Sequence, residues 1–286
     1  MVTPAASSRL TARERARRAA RGGASRSVPA PLLAPALIAV VFLLLPLAAL
    51  LIRAPWRHIG PALSGSDATQ ALILSLWTAS LTTAISLVIG VPLAWVLART
   101  RFPGQRLLRA LVTLPLVLPP VVGGVALLLA FGRTGIIGQY LNSWFGITIP
   151  FTPIAVVMAE TFVAMPFLII TVEGALRSAD QGFEEAAATL GARRMTVFLR
   201  VTVPMIAPSL GAGAVLCWAR ALGEFGATIT FAGSFPGQTE TMPIAVYYAL
   251  QTDPDAAIAL SLVLLVVSVV VLVSLRDRWL RGGSLS

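Results

Sequence analysis

Six stretches of this chain are each long and apolar enough to cross roughly 30 Å of hydrocarbon at about 1.5 Å per helical residue. They occupy residues 32–52, 71–98, 110–131, 153–172, 205–232 and 256–275, which is 139 of the 286 residues. Four of the six contain no charged side chain; the others hold Glu160 in the fourth, and Arg220 with Glu224 in the fifth. Backbone polar groups in lipid must be satisfied internally, so such stretches are expected to be helices. Charged residues make up only 12% of the chain and the mean hydropathy is +0.84. A soluble fold could not cover its surface with so few charges. The sequence therefore predicts an all-α polytopic membrane protein with six transmembrane helices.

The placement of arginine gives an orientation. All 22 basic residues are arginine. Eighteen lie in the N-terminal tail, the connections after spans two and four, and the C-terminal tail, whereas the alternate connections hold only Arg53, Arg57 and Arg133. By the positive-inside rule both termini are cytoplasmic, and the connection with Glu240, Asp253 and Asp255 is external. Residues 1–31 then form a basic cytoplasmic tail and residues 276–286 a second, shorter one. The basic arm reads as a topology determinant touching anionic lipid rather than nucleic acid. Span 32–52 is too long for a signal's apolar core and is followed by Ile52-Arg53-Ala54-Pro55, so it is expected to remain as the first membrane helix.

Residue usage also excludes chemistry. Without lysine the chain has no complete Walker A phosphate loop. One cysteine, Cys217, and one histidine, His58, leave no disulfide scaffold, zinc cluster or haem attachment. No catalytic residue, metal site or cofactor is expected, so an intramembrane enzyme would have only carboxylates to work with. Cys217 reads as a small packing residue and His58 as a solvated loop residue. Trp56, Trp144 and Trp279 sit where interfacial anchoring accounts for them.

Among the predicted cytoplasmic connections, that between spans four and five alone has a helical pattern. Ser178 followed by Gln181 suggests a capping box. Phe183, Ala187 and Leu190 recur at helical spacing, with Glu184 and Glu185 in the first turn, where a helix dipole favours anions. Gly191 is a natural stop. A second segment places Val197, Phe198 and Val201 opposite Arg193, Arg194 and Arg200, and Pro204 is expected to close it at the membrane.

The run EAAATLG at residues 185–191, nine further residues, and VTVP at 201–204 resemble the EAA loop of binding-protein-dependent ABC importer permeases. Every spacing matches, with Val201 and Val203 in place of the usual Ile and Leu. The resemblance implies a type I importer transmembrane domain, with a permease core over 71–275 and a coupling loop over 177–204. In that family the loop inserts into a cleft on a separate ATP-hydrolysing subunit. Glu184, Glu185, Ala186, Ala187, Gly191, Arg193 and Pro204 are then the coupling candidates. A narrower resemblance, to molybdate permeases, rests on RFPGQRLLRALVTLPLVLPPVVGG at 101–124, GRTGIIGQYLNSWFGI at 132–147, ARALGEFGATITFAGSFPGQTETMP at 219–243 and YALQTDP at 248–254. Several of these runs are shared in weaker form with sulfate permeases. The implied partners are two ATP-binding subunits, a second permease copy, an extracytoplasmic oxyanion-binding protein and membrane lipid. The implied place is the cytoplasmic membrane of a bacterium, and the implied cargo molybdate or tungstate, with sulfate as the alternative.

Several intramembrane residues stand out. Span three contains Pro115, Pro119, Pro120, Gly123 and Gly124 and must bend or unwind, exposing carbonyls to a neighbour or a watery path. Arg220 and Glu224 are four apart and expected on one helical face, with Arg220 paired to Glu224 or to Glu160, or open to transient contact with a dianion. Gly223 and Gly226 are expected to permit close helix approach. Pro119, Pro120, Glu160, Arg220, Gly223 and Glu224 are the candidates for the pathway and its gate. The same carboxylates would serve an ion-coupled secondary transporter, a class that often shows internal repeats. No convincing repeat relates 71–131 to 205–275. The apolar segment 241–250 is too short to span and is expected on the outer surface.

Overall fold

The computed structural model describes residues 30–56, 60 and 65–282. Residues 1–29 of the predicted basic tail, and His58, fall outside the described residues. The chain divides into two units, one ending at Arg53 and one beginning at Ala54. The first contains helix α1, Ala30–Ile52, whose 23 residues are apolar on every side, so no face is marked for water. Its large side chains stay exposed, as suits a lipid-facing span.

In the second unit every regular element among the described residues is a helix. Helix α2 runs over Ser66–Arg99. Ser75, Thr78, Thr82 and Ser86 share one face at helical spacing and are buried, whereas Ile73, Trp77 and Val88 point outward and are exposed. The hydroxyl stripe thus faces protein and the apolar stripe faces lipid, the inverse of a soluble helix. Helix α6, Pro153–Ser178, is the central element. More than half of its most apolar stretch is buried, against a third in α2. Its Leu168, Ile169, Val172 and Leu176 pack with Ala94 and Leu97 of α2 and with Ile206 and Ala221 of helix α9, Val203–Leu222.

The third expected span is two helices, α3 (Gln105–Val117) and α4 (Pro120–Phe131), bent by 118° at their junction. The prolines dictate the site of the break. Leu118 and Pro119 each precede a proline and take extended ψ of 134° and 132°, because the following ring disfavours the helical region. Pro120 then opens α4, where its missing N–H costs nothing. Among the described residues five helices qualify as membrane spans by length and apolarity, and this bent pair is a candidate sixth.

The fifth span departs from expectation at both ends. Its helix stops at Leu222, and residues 226–231 form a separate short helix, α10, Gly226–Phe231. Pro204 closes nothing: helix α8 (Arg194–Val197), a π turn (Phe198–Thr202) and α9 run on as one rod. The wider turn relieves the clash that a proline ring makes with the carbonyl four residues earlier, and it leaves the Val203 N–H bonded to the Phe198 carbonyl.

Shorter elements complete the unit. Helix α5, Gly138–Phe145, was not marked by sequence periodicity. The segment expected on the outer surface is helix α11, Met242–Thr252, and it is anchored rather than superficial. Met242 and Ile244 are fully buried, and the Met242 N–H donates to Ser75 Oγ at 2.7 Å. Helix α12, Pro254–Gly282, extends through most of what the sequence suggested was a tail.

Candidate functional site

Helix α7, Gly182–Thr189, stands between α6 and α8. The expected capping box does not form. Ser178 is the last residue of α6, and Asp180 Oδ1 instead accepts the Gly182 N–H at 2.9 Å. Glu184 and Glu185 do occupy the first turn, but they face opposite ways. Glu184 accepts from Arg99 Nη2 at 2.9 Å and from Thr202 Oγ1 at 3.0 Å, tying α7 to the end of α2 and to the π turn. Glu185 and Ala186 are exposed, and Ala187 is half-buried. Phe183 and Leu190 lie 62% and 89% exposed. The apolar face that periodicity marked therefore has no partner within the described chain.

Gly191 takes φ +83°, a left-handed conformation that favours glycine. The chain turns there into α8, with Arg193 exposed in extended backbone before it and Pro204 exposed in the first turn of α9. The Arg99 side chain is only 6% exposed, and its Nε and Nη1 have no hydrogen-bond partner. Among the described residues its charge is met by Glu184 alone, so this ion pair, with the Thr202 bond, holds α7 in position.

A second cluster, which sequence reasoning missed, lies at the same end. Glu173 Oε1 accepts from Arg109 Nε at 2.9 Å and from Arg177 Nη2 at 2.8 Å. The Leu97 carbonyl, orphaned near the end of α2, accepts from Gln105 Nε2 at 2.8 Å, Arg109 Nη2 at 3.3 Å and Arg177 Nη2 at 3.5 Å. These bonds clamp α2, α3 and α6 together. The i,i+4 spacing of Glu173 and Arg177 was the available signal; the Arg109 and Leu97 contacts are long-range and leave none.

Within the apolar region, Arg220 Nη2 meets Glu224 Oε2 at 2.6 Å. Glu224 lies beyond the end of α9, not on its face as expected, and its Oε1 accepts the Ala227 N–H at 2.8 Å. The carboxylate thus neutralises Arg220 and caps α10 together. Glu160 does not join this pair. Its two oxygens accept from Thr78 at 2.8 Å and Thr82 at 3.0 Å, pinning α6 to the hydroxyl stripe of α2.

The broken helices meet tightly. A Cβ added at Gly226 would lie 2.9 Å from Pro120 Cβ, and one at Gly124 would lie 2.8 Å from the Ala227 carbonyl oxygen. Gly223 lacks this role: a Cβ there would meet only the Ala219 oxygen of its own helix, at 3.6 Å. Pro119 and Pro120, both exposed, thus sit beside the Gly226 end of the Glu224-capped turn. The break in α3–α4 and the break in α9–α10 are neighbours.

Among the described residues, α7 is thus a short helix held on a buried ion pair with its apolar side chains exposed. The chain belongs to the family of binding-protein-dependent transport system inner membrane components, whose model matches residues 87–282. It is 51% identical over 244 residues to the molybdenum transport system permease protein ModB of Mycobacterium tuberculosis, covering 85% of this chain and 92% of that one. Against the sulfate transport system permease protein CysT of Salmonella typhimurium it is 36% identical over 251 residues, covering 86% and 90%. Its fold matches a chain of a bacterial alginate ABC transporter solved with an alginate pentasaccharide-bound periplasmic protein. That match has a TM-score of 0.70 at 20% identity, over 86% of this chain and 91% of the other.

Proposed function

We propose that this chain is the membrane subunit of an ATP-driven molybdate importer in a bacterial cytoplasmic membrane. It crosses the membrane six times, with α3–α4 as a broken span and both termini inside. Two copies pair around a central pathway, two ATP-hydrolysing subunits grip the α7 helices, and an extracytoplasmic protein delivers the oxyanion. The observation that carries this reading is α7 itself: Phe183 and Leu190 are exposed, Glu185 points outward, and Glu184 holds the helix on Arg99. An apolar surface presented on a rigid mount fits a partner that pushes.

The arginine-rich side of the chain is then cytoplasmic, where such a partner has ATP. ATP binding draws the two α7 helices together and opens the pathway outward; hydrolysis resets it. Pro119, Pro120, Gly226, Arg220 and Glu224 line or shape the gate where the two breaks meet. Arg220 arrives already neutralised by Glu224, so it offers a dianion a weak site that releases its cargo. Molybdate is favoured over sulfate by the greater likeness to the molybdenum permease. Glu160 is held by two threonines within α2 and α6, which supports a structural tie over an ion-coupling site.

The test is reconstitution of this chain in proteoliposomes with its ATPase and binding protein, following molybdate uptake. Uptake should require ATP and all three proteins and should resist excess sulfate. Uptake driven by an ion gradient without the ATPase would overturn the proposal.

A further inference from the structure

Helix α3 is held at its two ends more than along its flank. At its start, Gln105 and Arg109 stand four residues apart, on one face of the helix. Gln105 Nε2 donates to the carbonyls of Leu97 at 2.8 Å and Thr100 at 2.9 Å, which the end of α2 leaves open. Arg109 reaches the same Leu97 carbonyl at 3.3 Å and Glu173 of α6 at 2.9 Å. No residue of α3 is buried, and Leu108 and Val112 rest half-buried against the core.

The far end of α3 is a hinge. Its ladder closes where the Leu118 N–H meets the Leu114 carbonyl, and the α4 ladder opens on the Pro119 carbonyl, which accepts from Val122 and Gly123. Pro119 and Pro120 have no N–H to carry the ladder across. Beyond the hinge the chain is keyed into its neighbours. A Cβ added at Gly123 would lie 3.0 Å from the Phe162 ring of α6, and one at Gly124 would lie 2.7 Å from the Thr230 side chain of α10. Helix α3 is thus a rod of about 20 Å, strapped to α2 at one end and hinged at the other on a fixed α4.

The turn of α2 that holds α3 also holds α7. Arg99, its last residue, bonds Glu184 at 2.9 Å, and Leu97 stands two residues earlier. A displacement of α7 that moves this turn pulls on the start of α3, and the far end turns at Pro119, next to Gly226 and Pro120. We propose that Gln105 and Arg109 are positioning residues for coupling: they make α3 a lever that carries the motion of α7 to the break beside Gly226. The lever rests on the transport reading above, in which α7 is the part that is driven. A coupling path is established by a shift at one end produced by a change at the other, so both ends are tested.

The first measurement needs no partner. Spin labels at Leu107 and Leu129, both exposed, report the angle between α3 and α4 in the purified full chain carrying Cys217→Ser. Glu184→Gln, which loosens α7, should shift their separation. In a Gln105→Leu or an Arg109→Gln background the same substitution should shift it no further. Neither background strands Glu173, since Arg177 still pairs with it at 2.8 Å. An unmoved separation in Glu184→Gln, or a full further shift in both backgrounds, overturns the lever. The second measurement uses the chain reconstituted with its ATPase and binding protein. Gln105→Leu and Arg109→Gln should each lower molybdate uptake per ATP hydrolysed about fivefold, the worth of one hydrogen bond. Adding Glu184→Gln should lower it little further, whereas the losses in melting temperature should add. Lower melting temperatures with unchanged uptake per ATP would reduce both residues to structural ties and overturn the lever equally. The expected label shifts beside a complex that takes up no molybdate would sink the transport reading and leave the linkage supported.

Discussion

Two adjacent glutamates in α7 have separate tasks, and substitution should separate them. Glu184 compensates a buried arginine that has no other anion among the described residues. Breaking such a pair by removing one partner costs about 3–5 kcal/mol, and less here in proportion to the partial exposure of Glu184. Glu184→Gln should therefore lower the thermal stability of the purified protein as well as ATP-driven uptake. Glu185→Gln should leave the melting temperature unchanged and reduce uptake alone, since the Glu185 side chain is exposed and makes no ion pair among the described residues. Equal melting losses in both variants would contradict this division. On the predicted outer side, burial pushes the Glu240 carboxyl up from the ordinary glutamate range, with Asp67 adding to the rise. A raised carboxyl favours the fold in its protonated form, so its contribution is largest in acid and is lost as pH rises through the raised value. Glu240→Gln should flatten the decline in melting temperature between acidic and neutral pH.

At the scale of elements, the two glycines of the α9–α10 break give opposite expectations. Gly226→Ala forces a methyl against Pro120 at 2.9 Å, an overpacking worth about 1–3 kcal/mol. Gly223→Ala meets only its own helix at 3.6 Å and should be nearly neutral in a melting assay. Gly191→Ala places a side chain at φ +83°, at a cost of roughly 1–2 kcal/mol. It should misdirect α7 and lower the uptake gained per ATP hydrolysed, while membrane insertion is retained. Much of this level was legible in the sequence. Apolar length located the spans, and paired prolines located the break before Pro120. Glutamates followed by glycine located α7 and its turn. The break after Leu222 was hidden because the stretch from Cys217 through Phe231, despite Arg220 and Glu224, stays apolar enough on average to read as one span, and hydropathy cannot distinguish one helix from two. Pro204 misled for the opposite reason: a π turn absorbs a residue that in an ordinary α-helix would end or kink the rod.

For the whole molecule, the expected arrangement is a topology with a single orientation. Cys217 is the only cysteine and is fully buried, so a Cys217→Ser background permits labelling at one chosen position. A cysteine placed at Thr189 should react with a membrane-impermeant reagent only in inverted vesicles, and one at Gln251 only in intact cells. The reverse pattern would invert the transporter and remove the ATPase from reach of α7. The clamp of Arg109, Arg177, Glu173 and the Leu97 carbonyl was invisible to sequence reasoning because its Arg109 and Leu97 contacts join distant helices. Charge counting predicts a side for those arginines and is silent on what they hold.

The five-residue turn at Phe198–Thr202 contains one residue more than a regular helical turn would. Were it to tighten, everything on the α7 side would swing by about 100° around the axis of α9, while the Arg220–Glu224 end stood still. The rod is thus a screw with one spare thread, placed between α7 and the Arg220–Glu224 pair.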